Sequence, residues 1–132
     1  MPPLRRILFV DDERDIRVLA EIALTRLGGY EVALAASGEE ALERLGEFEA
    51  DLVLLNVTMP EMDGPTTLHR MRLDPATARI PAAFVTARHQ PHDLQRYRLL
   101  GVAGVIAKPF DAMALPSQVQ NIWDDATRPV AG

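Results

Sequence analysis

Asp11 and Asp12 stand side by side after the apolar run 7–10, Asn56 after 52–55, Thr86 after 80–85 and Lys108 after 102–107. Adjacent carboxylates with an amide or carbonyl oxygen nearby are hard oxygen ligands for Mg²⁺, which keeps several waters and binds phosphate oxygens. A lysine and a threonine hydroxyl opposite them would neutralise and hydrogen-bond the remaining phosphoryl oxygens, as phosphoryl transfer requires of a protein. If the runs are strands of one sheet, the set reads as a phosphoryl and magnesium site.

The elements that must position these residues follow from the hydrophobic pattern. The runs 7–10, 52–55 and 80–85 are nearly continuous apolar segments, as expected of strands buried on both faces. The segments 30–35 and 102–107 are more mixed and suit outer strands. Between the runs, helical spacing recurs. Ile16, Leu19, Ala23 and Leu27 mark a helix of about three turns stopped by Gly28 and Gly29. Ser37 and Glu40, three apart, form a capping box for a second helix through Ala41, Leu42 and Leu45. Leu68 and Met71 mark a third helix, ended by Asp74 and Pro75. His92 or Asp93 opens a fourth, through Leu94, Tyr97 and Leu100 to Gly101. The last starts at Pro116 and runs through Val119 and Ile122 to about Asp124. This alternation predicts an α/β domain with a parallel sheet, whose function collects beyond the carboxyl ends of the strands.

Composition narrows the classes. The chain has 132 residues, 48% hydrophobic and 25% charged, with net charge -5 and no cysteine. A chain of this size holds a core without disulfides or a structural metal. Thiolate metal sites, iron–sulfur clusters and cysteine nucleophiles are excluded. The acidic balance argues against a nucleic-acid ligand. Arg5 and Arg6 precede only four apolar residues before the acids arrive, too few for a signal peptide or a membrane span. The expectation is a cytoplasmic domain over residues 1–125, with a flexible tail over 126–132 and no second domain.

Four separated motifs carry a family resemblance. They are the acidic pair Asp11 and Asp12; the stretch 54–64, LLNVTMPEMDG; Thr86 with Ala87; and Lys108 with Pro109 and Phe110. With these the chain resembles the receiver domain of two-component response regulators, over nearly its whole length and as a single-domain member. The resemblance implies a flavodoxin-like, doubly wound (βα)5 fold with strand order 2-1-3-4-5. It implies a Mg²⁺ site from Asp11, Asp12, residue 56 and the backbone carbonyl of Thr58. It also implies phosphoryl transfer from a histidine kinase or phosphotransfer protein to residue 56. Lys108 and Thr86 then attend the phosphoryl group, with Lys108 followed by a cis bond to Pro109. Output passes through the fourth helix, fifth strand and fifth helix to a target protein or a second copy, with no direct nucleic-acid or membrane contact. The family is not enzymatic beyond its own phosphorylation and dephosphorylation.

Two positions depart from the pattern. Where the family places the acceptor aspartate, this chain has Asn56, a neutral carboxamide that cannot form an acyl phosphate. Its oxygen could still meet a cation, with some loss of metal affinity for the missing charge. The expectation is a phosphorylation-dead receiver, either by an introduced Asp→Asn change, which the intact Asp11, Asp12, Thr86 and Lys108 favour, or as a natural atypical receiver that works as a phosphorylation-independent interaction module. The second departure is Val105, where the family often has an aromatic switch residue; valine is small and stiff at χ1. Switching then rests on Thr86 and the fourth helix, with Tyr97 a candidate participant.

Plainer roles compete at several positions. Asp11 and Asp12 could cap the following helix, and Thr86 could bond only to backbone. Asp63 and Gly64 shape the loop after Pro60, the glycine supplying an unusual backbone angle. His89 and His92 lack a third ligand and read as solvated; His69 reads as surface and Trp123 as core or tail packing. Arg96, Tyr97 and Arg98 read as a partner face on the fourth helix.

Overall fold

The computed structural model describes residues 2–128. Five parallel strands, β1 (Arg6–Val10), β2 (Glu31–Ala35), β3 (Leu52–Asn56), β4 (Ala82–Thr86) and β5 (Gly104–Ala107), lie in the order β2-β1-β3-β4-β5. Five helices connect and follow them: α1 (Arg14–Ile22), α2 (Gly38–Leu45), α3 (Gly64–Leu73), α4 (Pro91–Leu99) and α5 (Leu115–Thr127). This is the doubly wound arrangement expected from the sequence.

The continuous apolar runs are explained by the two cores they feed. Successive side chains of a strand point to opposite faces. Ile7, Phe9, Leu52, Leu54, Ala83 and Val85 pack with Ala20 and Leu24, and with Leu115, Val119, Ile122 and Trp123 of α5. Their neighbours Leu8, Val10, Val53, Leu55 and Phe84 pack with Ala41 of α2, Leu68 and Met71 of α3 and Tyr97 of α4. Every residue of β3 and β4 is buried, whereas β2 and β5 at the edges are mixed.

Helix starts show the capping chemistry that fixes the loops above the sheet. Ser37 Oγ accepts from the Glu40 amide at 3.0 Å, and the Glu40 carboxylate accepts from the Ala36 amide at 2.8 Å. Asp63 Oδ1 accepts from the Thr66 amide at 2.8 Å at the head of α3. In α4 the helix begins at Pro91, ahead of the expected His92 or Asp93, because Asp93 Oδ2 reaches back to the Gln90 amide at 3.2 Å.

Other boundaries shift for local reasons. β4 starts at Ala82 and not at Ile80, since Pro81 has no amide to donate and the Ile80 amide is spent on Thr77 O. β2 begins at Glu31, the Tyr30 amide being bonded back to Leu24 O. β5 is limited to Gly104–Ala107; a Cβ on Gly104 would lie 2.7 Å from Ile122 Cγ1, so the strand meets α5 through the missing side chain. The first helix continues over Ala23–Leu27 as a π-helical turn, with Gly28 N bonded to Ala23 O, before Gly29 turns the chain at φ 73°. α5 extends to Thr127, whose hydroxyl donates to Trp123 O at 2.7 Å. Ala126 and Thr127, placed in the tail over 126–132 from sequence, are therefore helical, and residues 129–132 of that tail lie outside the described residues.

Gly64 corrects a sequence expectation. Its backbone angle is ordinary, and the positive φ in this loop belongs to Glu61, at 66°. Gly64 is required by proximity: a Cβ there would sit 2.6 Å from Asn56 O and 3.0 Å from Val57 Cα. The absent side chain lets the head of α3 press against the end of β3.

Candidate functional site

The carboxyl ends of β1, β3, β4 and β5 meet at one edge of the sheet, beside the reversal of strand order at β1. Register sets Asn56 beside Val85 and Thr86 beside Ala107. Asp12, Glu13, Asn56, Thr58, Thr86, Ala87, Arg88 and Lys108 line a cleft of about 340 Å³ there. Asp11 lies beneath it, fully buried. All the residues singled out for chemistry from sequence are thus brought to one place.

Asp11 is held on both oxygens. Oδ1 accepts from the Glu13 amide at 2.9 Å and Oδ2 from Lys108 Nζ at 2.6 Å. The Lys108 side chain is only 15% exposed, so the pair is screened by the protein and not by water. The Lys108 amide donates to Thr86 O at 2.9 Å, and the Lys108–Pro109 bond is cis. Arg17 Nη1 donates to Asp11 O at 2.8 Å, a contact from the first turns of α1 that the sequence pattern did not single out. The helix-capping reading of Asp11 is not what the structure shows: α1 begins behind Glu13 with no side-chain cap, and Asp11 serves the Glu13 amide, ahead of the helix, and the ammonium together.

Asn56 is 6% exposed, and its Nδ2 donates to Thr58 O at 2.9 Å and to Asp12 Oδ1 at 3.2 Å. A carbonyl oxygen can only accept, so the amide nitrogen and not its oxygen must face Thr58. Turning the amide over would set Oδ1 against two acceptors and forfeit both bonds, each worth about 0.5–3 kcal/mol depending on whether the acceptor is charged. The expected presentation of the Asn56 oxygen to a cation is not the arrangement found.

Whether Mg²⁺ fits these residues is decided by that donor set. Two carboxylates remain, Asp11 and Asp12, where an aspartate at position 56 would make three. Asp12 Oδ1 and Thr58 O both face an N–H donor, and Asp11 is engaged by Lys108. As arranged, the set does not fit a divalent cation.

Thr86 is buried, and its hydroxyl oxygen accepts from the Arg88 amide at 2.9 Å. Arg88 O accepts from the Tyr97 hydroxyl at 3.1 Å. Tyr97 is 1% exposed and packs edge-on against Phe84, ring centroids 5.2 Å apart. It is a core residue, which corrects its placement with Arg96 and Arg98 on a partner face. Arg96 and Arg98 are exposed, Arg96 lying 3.6 Å from Asp93 and 5.6 Å from the Tyr97 ring centre. Arg98 lines a groove with Leu94 and Val102 to Val105 between α4 and β5. Val105 is half-buried there. His69, His89 and His92 are exposed, and Trp123 is buried with its indole N–H donating to Pro2 O at 3.3 Å.

A second pocket beside the site escaped the sequence reading. Ile16, Leu19, Ala87, Pro109 and Phe110 line about 250 Å³ of apolar space rimmed by Glu13 and Lys108. Its walls come from α1 and the loops after β4 and β5, segments too far apart in sequence for periodicity to pair.

The sequence pattern of the response regulator receiver domain matches residues 7–120. The chain belongs to the response regulator receiver family. It is 31% identical over 118 residues to a probable chemotaxis protein CheY of Rhizobium etli, covering 89% of this chain and 92% of that protein. It is 36% identical over 113 residues to a probable cyclic di-GMP phosphodiesterase of Vibrio cholerae, covering 86% of this chain but only 25% of that protein. Other regulators it matches are spanned over about half their length. Among solved structures, the chemotaxis response regulator CheY4 of Vibrio cholerae superposes with TM-score 0.82 at 29% identity, covering 90% of this chain and 98% of that one. A protein of Chloroflexus aurantiacus described as a putative response regulator gives 0.80 at 34% identity, covering 92% and 98%. Receiver domains are generally signalling modules of two-component systems that bind Mg²⁺ at an acidic pocket and work with histidine kinases and downstream effectors. No described helix of this receiver is long and apolar enough to cross a membrane.

Proposed function

We propose that this receiver occupies the place of a phosphoacceptor module in two-component signalling but takes no phosphoryl group, because Asn56 stands where the acceptor carboxylate belongs. The observation that carries the reading is the position of Asn56. It ends β3, is buried, and lies in one cleft with Asp12, Thr86 and Lys108. Acyl phosphate formation needs an anionic carboxylate oxygen to attack phosphorus and displace the donor's leaving group. A carboxamide offers a delocalised lone pair and no such product.

The residues around position 56 suit the lost chemistry. Lys108 and the Thr86 hydroxyl could both reach a phosphoryl group there, and Thr86 is coupled through Arg88 to Tyr97 of α4. With Val105 unable to act as an aromatic switch, this chain of bonds is the route from cleft to α4. The α4–β5–α5 face, with Arg98 and Val105 in its groove, is the docking surface for a target protein or a second copy. With the acceptor absent, docking there is independent of phosphorylation. The upstream partner of an active form is a histidine kinase or phosphotransfer protein.

Intact-mass spectrometry after incubation with acetyl phosphate and Mg²⁺ tests the reading. The chain is expected to show no added phosphoryl, and Asn56→Asp is expected to gain one. A phosphorylated parent chain sinks the reading. An aspartate codon at position 56 in the source genome marks an introduced change, and an asparagine codon marks a natural interaction module.

A further inference from the structure

We propose that the Asn56 carboxamide stands in for the divalent cation of this receiver, its NH₂ group cross-linking the Asp12 carboxylate to the Thr58 carbonyl so that the pocket is complete without metal. This goes beyond the missing nucleophile, because it concerns what holds the two loops together and not whether phosphorus can be attacked.

A bound cation would draw together oxygen lone pairs from the loop after β1 and the loop after β3. Here Asp12 Oδ1 and Thr58 O converge on one nitrogen, at 3.2 and 2.9 Å. The partial positive charge of that NH₂ faces the oxygens a cation would need. The third oxygen-bearing group, Asp11, is served by a full positive charge, Lys108 Nζ at 2.6 Å, and by the Glu13 amide. Two carboxylates against one ammonium leave a single net negative charge, one fewer than an aspartate at 56 would give. A cation entering this pocket must displace the amide from both acceptors and compete with Lys108, with less charge to attract it. The Asn56 backbone is itself held in place as the last residue of β3, with Gly64 at the head of α3 packed closely against its carbonyl. The geometry of both loops is therefore fixed by protein donors and indifferent to Mg²⁺ and chelators.

Mn²⁺ titration followed by electron paramagnetic resonance tests this on the whole chain, with Asn56→Ala and Asn56→Asp alongside. If the amide is a pin, removing it frees Asp12 and Thr58, and Asn56→Ala binds Mn²⁺ several-fold more tightly than the parent; Asn56→Asp binds more tightly still. If the amide oxygen is a ligand, Asn56→Ala binds no better than the parent or more weakly, and the proposal is overturned. Should Asn56→Ala not fold, the parent decides alone: its Asn56 side-chain NH₂ resonances are expected to stay unmoved in millimolar Mg²⁺, and a saturable shift overturns the proposal. A parent that binds metal yet takes no phosphoryl group would refute this inference and leave the proposed function standing.

Discussion

At Asp11 the fold needs a cation before any chemistry is asked of it. The carboxylate is fully buried, and Lys108 at 2.6 Å is its only charged hydrogen-bond partner among the described residues. Breaking one side of a buried pair leaves an uncompensated charge, which costs far more than the pair itself contributes. Lys108→Met is expected to lower stability by about 3 kcal/mol in urea denaturation. Asp11→Asn combined with Lys108→Met is expected to recover most of that loss. Equal losses in the single and double variants would show that Asp11 does not depend on Lys108. The chemistry-bearing residues were legible in the sequence because each follows an apolar run, and strand ends gather at one sheet edge whatever the helices do. The direction of the Asn56 amide was not legible. It depends on Asp12, 44 positions away, and on a backbone carbonyl, and neither leaves a trace in residue spacing.

Among the elements, helix caps and glycine stops read well because Ser37, Gly28 and Gly29 act on their own neighbours. Tyr97 read poorly. Its helical spacing fitted either a core stripe or an exposed face, and the edge-on contact with Phe84, which buries it, is a tertiary fact. Gly64 was misjudged for a similar reason: its neighbour is the backbone of β3, while the strained angle falls on Glu61. Tyr30, between the first helix and β2, makes a testable link to α5. Its hydroxyl donates to Gln120 Oε1 at 2.7 Å, and burial, reinforced by the charge of Asp124, pushes the phenol above its ordinary value of 10.0. A raised pKa means the folded state holds the proton more tightly. This stabilising contribution is complete below pH 10.0 and fades as pH rises through and beyond it. Thermal melts of Tyr30→Phe are expected to lose less stability than the parent between neutral pH and pH 10 to 11. Parallel pH profiles for the two proteins would show that Tyr30 makes no pH-dependent contribution to stability.

For the whole molecule, two cores on opposite faces of one sheet explain why the fold was the most legible feature. The central strands must be apolar on both sides, so β1, β3 and β4 announce themselves as runs, and the sheet order follows from the family resemblance. The α1-side pocket and the α4–β5 groove were not visible in the same way, since each is walled by separate segments. On the proposed function, residue 56 alone decides whether this domain can switch. Thr86, Arg88, Tyr97 and Val105 span the path from the cleft to the α4–β5 face, so their backbone amides report a switch wherever it starts. The direct measurement is a ¹H–¹⁵N correlation spectrum of the parent chain and of Asn56→Asp, before and after acetyl phosphate with Mg²⁺. These four amides are expected to stay in place in the parent and to move in Asn56→Asp. Movement of the same amides in the parent, or a phosphorylated Asn56→Asp in which none of them moves, would contradict it.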